Sequence, residues 1–387
     1  MIHFFESFKG PVASVSARDG TIISEFNIGE NGGLRVAIPD GGGLTYSASY
    51  TRSQNPAKRG IEPSDRLVIG YSLEFIERAA GPFSKNSYVA FTPAKFSTLP
   101  DASQTQNSNI TVLPVLEDQL PVLCLNPSIS GTDNGVNKGL SLRTSSGGVG
   151  TTANTLWNEE LPGINFFTKH FYEIVYDFVA NKISVWVDNV QVGVIDYTFT
   201  TAQKAMRIRL RLDISSYLAS SNSCYPVLNG MYTATERLGP VSWGLSKPTA
   251  DSEVSAEFTP LPGWSKVNIR QDGLGTAGTS KITTTKSKQK ALFKGSAITG
   301  EVLAVSVRGR FSSTEQSALE AFGAVKTTIK SNGQEVQQDA LAIPKQSYVA
   351  PIVFLEKSPF TGVAWTAAEL TEMTYGAEIV VTPKTFS

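Results

Sequence analysis

Apolar and polar residues alternate most regularly between Phe171 and Tyr197, in FYEIVYDFVANKISVWVDNVQVGVIDY. Tyr172, Ile174, Tyr176 and Phe178 fall on one face of an extended chain, and Glu173, Val175, Asp177 and Val179 on the other. A period of two in aromatic and β-branched residues predicts a strand. The pattern pauses at Ala180-Asn181-Lys182, resumes with Ile183, Val185 and Val187, pauses at Asp188-Asn189, and runs on from Val190 to Ile195. Asn tolerates positive φ and hydrogen-bonds its own backbone, so both pauses read as hairpin turns. The segment is therefore a three-stranded antiparallel meander. Trp186 points away from Val185 and Val187, either beneath a second layer or onto an exposed face.

The same period marks GLRVAI (33–38), LVIGYSLEFI (67–76), NITVLPVL (109–116) and AMRIRLRLDI (205–214). In RIRLRLD, Arg207, Arg209 and Arg211 alternate with Ile208, Leu210 and Leu212, which predicts one wet basic face and one buried face. Long polar segments separate these strands and no βαβ rhythm occurs. The expectation is a mainly β fold, with a two-sheet antiparallel jelly-roll sandwich over residues 1–257. FTPLPGWSKVN (258–268) carries Pro260, Pro262 and Gly263, which interrupt regular structure, and it reads as a domain boundary. Residues 258–387 then form a smaller β-rich domain with two short helices. In RFSSTEQSALEAFG, Ser312 is placed to cap a helix with Glu315 three residues on; in AWTAAELTEMTYG, Thr366 and Glu369 have the same spacing. Both match the capping box. Both end in aromatic-Gly, so Gly323 and Gly376 are expected in the left-handed conformation that closes a helix. Strands are expected in EVLAVSVRGR (301–310), YVAPIVFLE (348–356) and the closing AEIVVTP.

Composition narrows the classes. At 387 residues the chain exceeds the usual single core, which favours two domains. It is 41% hydrophobic and 18% charged, and its 34 basic residues balance 34 acidic ones, so overall charge offers no argument for nucleic acid. No apolar run approaches a bilayer-spanning length. The opening MIHFFESFKGPVASVSA is broken by charges and Pro11 and does not read as a signal peptide. Between Gly263 and Lys330 there are 11 Lys/Arg against 4 Asp/Glu, an excess of seven. Lys281, Lys286, Lys288 and Lys290 in TAGTSKITTTKSKQK form either a solvated loop or a docking surface for an acidic protein partner. The aromatic interleaving that single-stranded nucleic acid requires is missing there. The two cysteines, Cys124 and Cys224, are far apart in sequence and read as thiols in a reducing compartment.

The residues that carry chemistry are sparse. The two histidines, His3 and His170, have no ligand spacing, and neither HExxH nor CxxC occurs. Gly41-Gly42-Gly43 reads as a turn and lacks the following Gly-Lys-Ser/Thr of a phosphate loop. Glu74 and Glu77 would face opposite sides of a strand, and Glu159 and Glu160 are adjacent in an expected loop, so neither pair makes a glycosidase cleft by itself. No enzyme, cofactor or metal is expected. Asp188 fits a tight turn better than a calcium site. Sugar contact has its best candidates in Trp157 with Asn158 and Glu159, and in Trp243; for each tryptophan the competing reading is a core plug.

HFYEIVYDFVANKISVWVDNVQVGVIDY resembles the late strands of concanavalin A-like lectin/glucanase and laminin-G-like jelly rolls, with Asp188-Asn189 where those folds have Asp-Gly. The Glu-x-Asp-x-Glu motif of the glucanases is absent, which argues against the catalytic branch. WSKVN (264–268), EVLAVSVRGRF (301–311) and SYVAPIVFLEKSPFTGVAWTAAELTEMTYGAEI (347–379) resemble the C-terminal module of tailed-bacteriophage virion proteins. There Ser358-Pro359-Phe360-Thr361-Gly362 leads to Trp365, Glu369 and Gly376. This resemblance implies a structural virion component of tail, collar or fibre, made in the host cytoplasm. It would dock on other virion proteins through the C-terminal domain, display the sandwich outward and assemble as a homo-oligomer. The alternative is a glycan-binding adhesion module for a host-surface polysaccharide. A third reading, a polysaccharide hydrolase, would need two carboxylates converging in one cleft.

Overall fold

In the computed structural model the described residues are, in the main, 1–6, 61–77, 88–96, 116–126, 139–144, 155–217, 224–267, 288–312 and 322–382, apart from short breaks, with short strands between 15 and 50. The chain divides into two units, the first reaching Trp243 and the second running from Gly244 to Ser387.

The first unit is a sandwich of two antiparallel sheets. One is eight-stranded, in the order Val190–Asp196, Lys182–Val187, His170–Asp177, Arg66–Glu77, Cys224–Ala234, Leu34–Val36 and Phe26–Ile28, with Ile2–Glu6 also on Cys224–Ala234. The other is seven-stranded, in the order Thr155–Glu159, Gly139–Arg143, Val122–Asn126, Tyr88–Phe96, Arg209–Tyr217 and Thr45–Tyr46, with Leu116–Gln119 on Tyr88–Phe96. The chain passes repeatedly from one sheet to the other, as a jelly roll does. The meander forms where the alternation predicts it. Tyr172, Ile174 and Tyr176 lie opposite Tyr71, Ile69 and Leu67 on one side, and opposite Val187, Val185 and Ile183 on the other. All nine are buried, and together with Leu123, Leu125, Leu140 and Leu142 of the second sheet they make up much of the core. The Tyr176 hydroxyl donates to the Pro121 carbonyl at 2.7 Å and ties the sheets together. Its burial raises the pKa of this phenol well above the ordinary range, and that of Tyr71 likewise.

The opposite face of the larger sheet is also covered. Residues 235–243 return across it, and Gly70 and Gly230 make room. A Cβ on Gly70 would come 2.2 Å from the Tyr232 ring, and one on Gly230 2.1 Å from Nε1 of Trp243.

The second unit holds a six-stranded sheet in the order Pro248–Val254, Gln289–Gly295, Thr374–Thr382, Phe322–Ser331 and Gln334–Gln337, with Leu341–Ala342 on Phe322–Ser331. Val307, Ile329, Trp365, Leu370 and Met373 form one of its cores. Trp365 donates from Nε1 to the Leu355 carbonyl at 3.1 Å. The expected boundary at 257/258 falls inside this unit. Pro248–Val254 pairs with Gln289–Gly295, and Asp251 accepts from the Gly263 and Trp264 N–H groups at 2.9 and 2.6 Å. Pro260 and Pro262 therefore break a connection within one domain.

The helix at Thr366 forms over Ala367–Glu372, with the Thr366 hydroxyl accepting from the Glu369 N–H at 3.1 Å. Its Glu369 side chain turns instead to the buried Ser358 hydroxyl, which also accepts from the Phe360 N–H. Gly376 corrects the expected left-handed cap. It lies within Thr374–Thr382, opposite Leu292 and Thr328, where a Cβ would strike the Ala291 carbonyl oxygen. Gly323 is likewise a strand residue, in Phe322–Ser331. Ser312 lies in the strand Phe311–Ser312, opposite Tyr348, while Glu315 and the helix expected after it lie outside the described residues. Among the described residues no helix is long and apolar enough to cross a membrane.

Candidate functional site at the hairpin rim

Polar side chains gather where the meander turns at Asp188-Asn189. Both residues take positive φ, 47° and 69°, as the hairpin turn requires. The Asp188 carboxylate accepts from the Phe171 N–H through Oδ1 at 2.8 Å, and its Oδ2 lies 2.6 Å from Nδ1 of His170. On its far side His170 Nε2 sits 3.0 Å from both the Thr168 hydroxyl and the Asn165 carbonyl oxygen. Asn165 also accepts from the Phe167 N–H through Oδ1 at 3.1 Å. One imidazole thus clasps the 165–168 turn to the 188–189 turn. His170 serves the hairpin edge, and Asp188 serves the turn. Beneath them Tyr172 is buried, and its hydroxyl is pushed far above the ordinary phenol range, first by burial and then by the nearby Asp188 carboxylate.

Asn189 faces a second cluster. Its Oδ1 accepts from Nη2 of Arg237 at 2.6 Å. Arg237 also donates through Nε and Nη2 to Glu173 Oε2, at 3.0 and 2.7 Å, and its guanidinium lies 3.6 Å from the centre of the Trp186 ring. Glu173 is 1% exposed and accepts further from the Tyr232 hydroxyl and, at 3.1 Å, from the Gly239 N–H. A carboxylate so deep is tolerable only with this many donors. The Tyr232 hydroxyl is itself raised far above its ordinary range, by burial first and by Glu173 second. Trp186 thus lies under a second layer, the 235–243 segment.

The other expected residues are dispersed. Trp157 and Asn158 lie in the edge strand Thr155–Glu159, opposite Leu142 and Ser141, and Glu159 ends that strand rather than lying in the expected loop. The Trp157 ring lies against Gly193 of the facing sheet, 2.7 Å from where a Cβ would stand, and closes that flank of the sandwich. Trp243 stacks on Phe5, with ring centres 6.0 Å apart, over Gly230. Glu74 lies on the larger sheet and Glu159 on the smaller. The side chain of Glu77, and Glu160 entirely, lie outside the described residues, as do Lys281 and Lys286. Lys288 is exposed, with φ 57°, whereas Lys290 is engaged by Glu335 at 2.9 Å and Glu253 at 3.6 Å. Glu253 also pairs with Lys330 at 2.8 Å, and its carboxyl is held below the usual range, chiefly by that bond.

Sequence reasoning missed Arg237 as a rim residue, because nothing in TATERLGPVSW announces that its side chain will meet a strand 64 positions away. It also missed the helix Thr201–Ala205, although Thr200 and Gln203 form a complete capping box.

No protein-family model matches the chain, and no curated protein matches it. Among solved structures, a Lotus tetragonolobus seed lectin is similar at TM-score 0.39 and 12% identity, over 60% of this chain and 96% of that one. The carbohydrate recognition domain of Emp46p in its potassium-bound form is similar at 0.35 and 10%, over 58% and 89%. Lectin II from Ulex europaeus is similar at 0.36 and 9%, over 60% and 98%. At TM-scores below 0.5 the sandwich assignment rests on strand order and register rather than on these likenesses.

Proposed function

We propose that the sandwich is a non-catalytic glycan-binding module for a cell-surface polysaccharide, and that the second unit attaches it to a larger particle. The observation that carries the glycan reading is the ordered rim. Asp188, Asn189, Asn165 and Thr168 are solvent-facing hydrogen-bonding groups on two turns, held in place by His170 and Arg237 before any ligand arrives. Sugar hydroxyls are met by such carboxylate, amide and hydroxyl groups, and groups already ordered lose little entropy on binding. The Glu173 carboxylate is buried and engaged by Arg237, Tyr232 and Gly239, which leaves Asp188 without a second carboxylate facing it and favours recognition over hydrolysis. The resemblance of residues 347–379 to the closing segment of tailed-phage virion proteins supports a particle-borne, multivalent setting, in which weak single sites gain avidity.

The test is a glycan array probed with the full chain, followed by titration of the best polysaccharide. Asp188→Ala should weaken binding about tenfold or more, as loss of a charged hydrogen-bonding group does. Trp157→Phe, Asn158→Ala and Trp243→Phe are comparison positions, where a larger loss of affinity than at Asp188 would move the site to the tryptophans. An array with no ligand above background, or release of reducing ends from the polysaccharide, would overturn the reading.

A further inference from the structure

We propose that residues 235–243 form a latch whose Arg237 side chain plugs a guanidinium cage and thereby sets the Asp188-Asn189 turn in its binding arrangement. The functional half of this inference rests on the glycan reading above.

The cage is complete without the latch backbone. Trp186 supplies an aromatic floor 3.6 Å from the guanidinium, and its own Nε1 is fixed by the Ser184 hydroxyl at 3.1 Å. Glu173 supplies a buried acceptor for Nε and Nη2, and Asn189 Oδ1 supplies the acceptor at the rim. A stacked, forked, planar cation is what such a set recognises, and an ammonium cannot satisfy it. Thr235 donates its N–H to the Met1 carbonyl at 2.9 Å and Glu236 pairs with Arg66 at 2.8 Å where the latch begins, and three further anchors hold it. Arg237 is the first; the second is the pair of N–H groups of Leu238 and Gly239, which donate to the Tyr232 hydroxyl at 2.9 Å and to Glu173 at 3.1 Å; the third is Trp243 stacked on Phe5. Gly239 packs beside Asn189, and Arg237 is the latch residue that hydrogen-bonds it among the described contacts. With Asn189 Oδ1 engaged by Nη2, the Asn189 amide N–H2 is left as the donor this side chain offers a ligand. Arg237 is therefore a positioning residue that touches no sugar, and latch closure and ligand affinity are linked through one side chain.

The test uses the full chain, with amide hydrogen exchange read over 188–190 and 235–241 alongside glycan affinity. In Arg237→Ala, exchange over both segments should quicken about tenfold or more. Adding roughly 10 mM guanidinium chloride, far below the molar range that unfolds domains, should restore protection at 188–190, while equal sodium chloride should not. Arg237→Lys should behave like Arg237→Ala. Glycan affinity should fall about tenfold in Arg237→Ala and recover with guanidinium. Asn189→Gly keeps the turn conformation and removes both the Arg237 contact and the amide offered to a ligand, so it is read by exchange alone. Protection of 235–241 should persist, because the other anchors remain; its loss would overturn the latch. Unchanged exchange at 188–190 in Arg237→Ala, or full recovery with Lys, would overturn the latch. If the wild-type chain binds no glycan, the functional half falls with the earlier reading, and the exchange and guanidinium arms still judge the latch itself.

Discussion

Asp177 shows how much a single side chain does at a turn. Its carboxylate accepts from the Ala180 N–H at 2.7 Å and pairs with Arg66 at 3.0 Å, and its pKa is lowered, first by the Ala180 bond and then by Arg66. A carboxyl lowered on folding contributes stability above its unfolded value, about 3.9, and loses that contribution as pH falls through the folded value. Asp177→Asn should therefore flatten the loss of stability below about pH 4 and leave the slope between pH 6 and 8 unchanged, as read from urea melts across the range. At this scale the sequence was legible wherever the backbone decides. Asn181, Asp188 and Asn189 were recognisable as turn residues, and all three take positive φ. Partners set by tertiary packing were not. Glu173 alternates like any solvent-facing strand residue, and only the return of residues 235–243 buries it.

The elements divide along the same line. Alternation located the meander because a period of two depends on neighbours along the chain. Helix ends proved harder. The Thr366 cap formed, but Glu369 turned to Ser358 and Gly376 entered a strand between two neighbours. Aromatic-Gly can close a helix or let two strands approach, and only the surrounding sheet decides which. The hydroxyl of Thr366 is the helix's own N-terminal partner, so Thr366→Ala should cost about 1 kcal/mol of the second unit's stability, measured by thermal or denaturant melts. Thr366→Ser should recover most of it. On the smaller sheet, the Trp157 contact with Gly193 was out of reach of local pattern, since it joins the edges of two different sheets.

Across the whole molecule the boundary matters most. Proline-rich FTPLPG looked like a linker, yet the strand before it completes the second unit's sheet. A chain of residues 244–387 should melt cooperatively. One of residues 258–387 would lack Pro248–Val254 and Asp251, leave the Gln289–Gly295 edge open, and should aggregate or bind hydrophobic dye. Equal cooperative melts for the two would show that the edge strand is dispensable. Two classes, sandwich and β-rich partner, could be read from pattern, but membership of the strand before the proline signal in the second unit could not.

One pairing reaches beyond stability. Ile2 lies opposite Ala234, and the Met1 carbonyl accepts from the Thr235 N–H at 2.9 Å, so the first and last strands of the sandwich segment adjoin. A segment with adjoining ends can be exchanged as a cassette by recombination without rethreading the second unit. Such an exchange would change the sandwich while the second unit's own sheet stays the same.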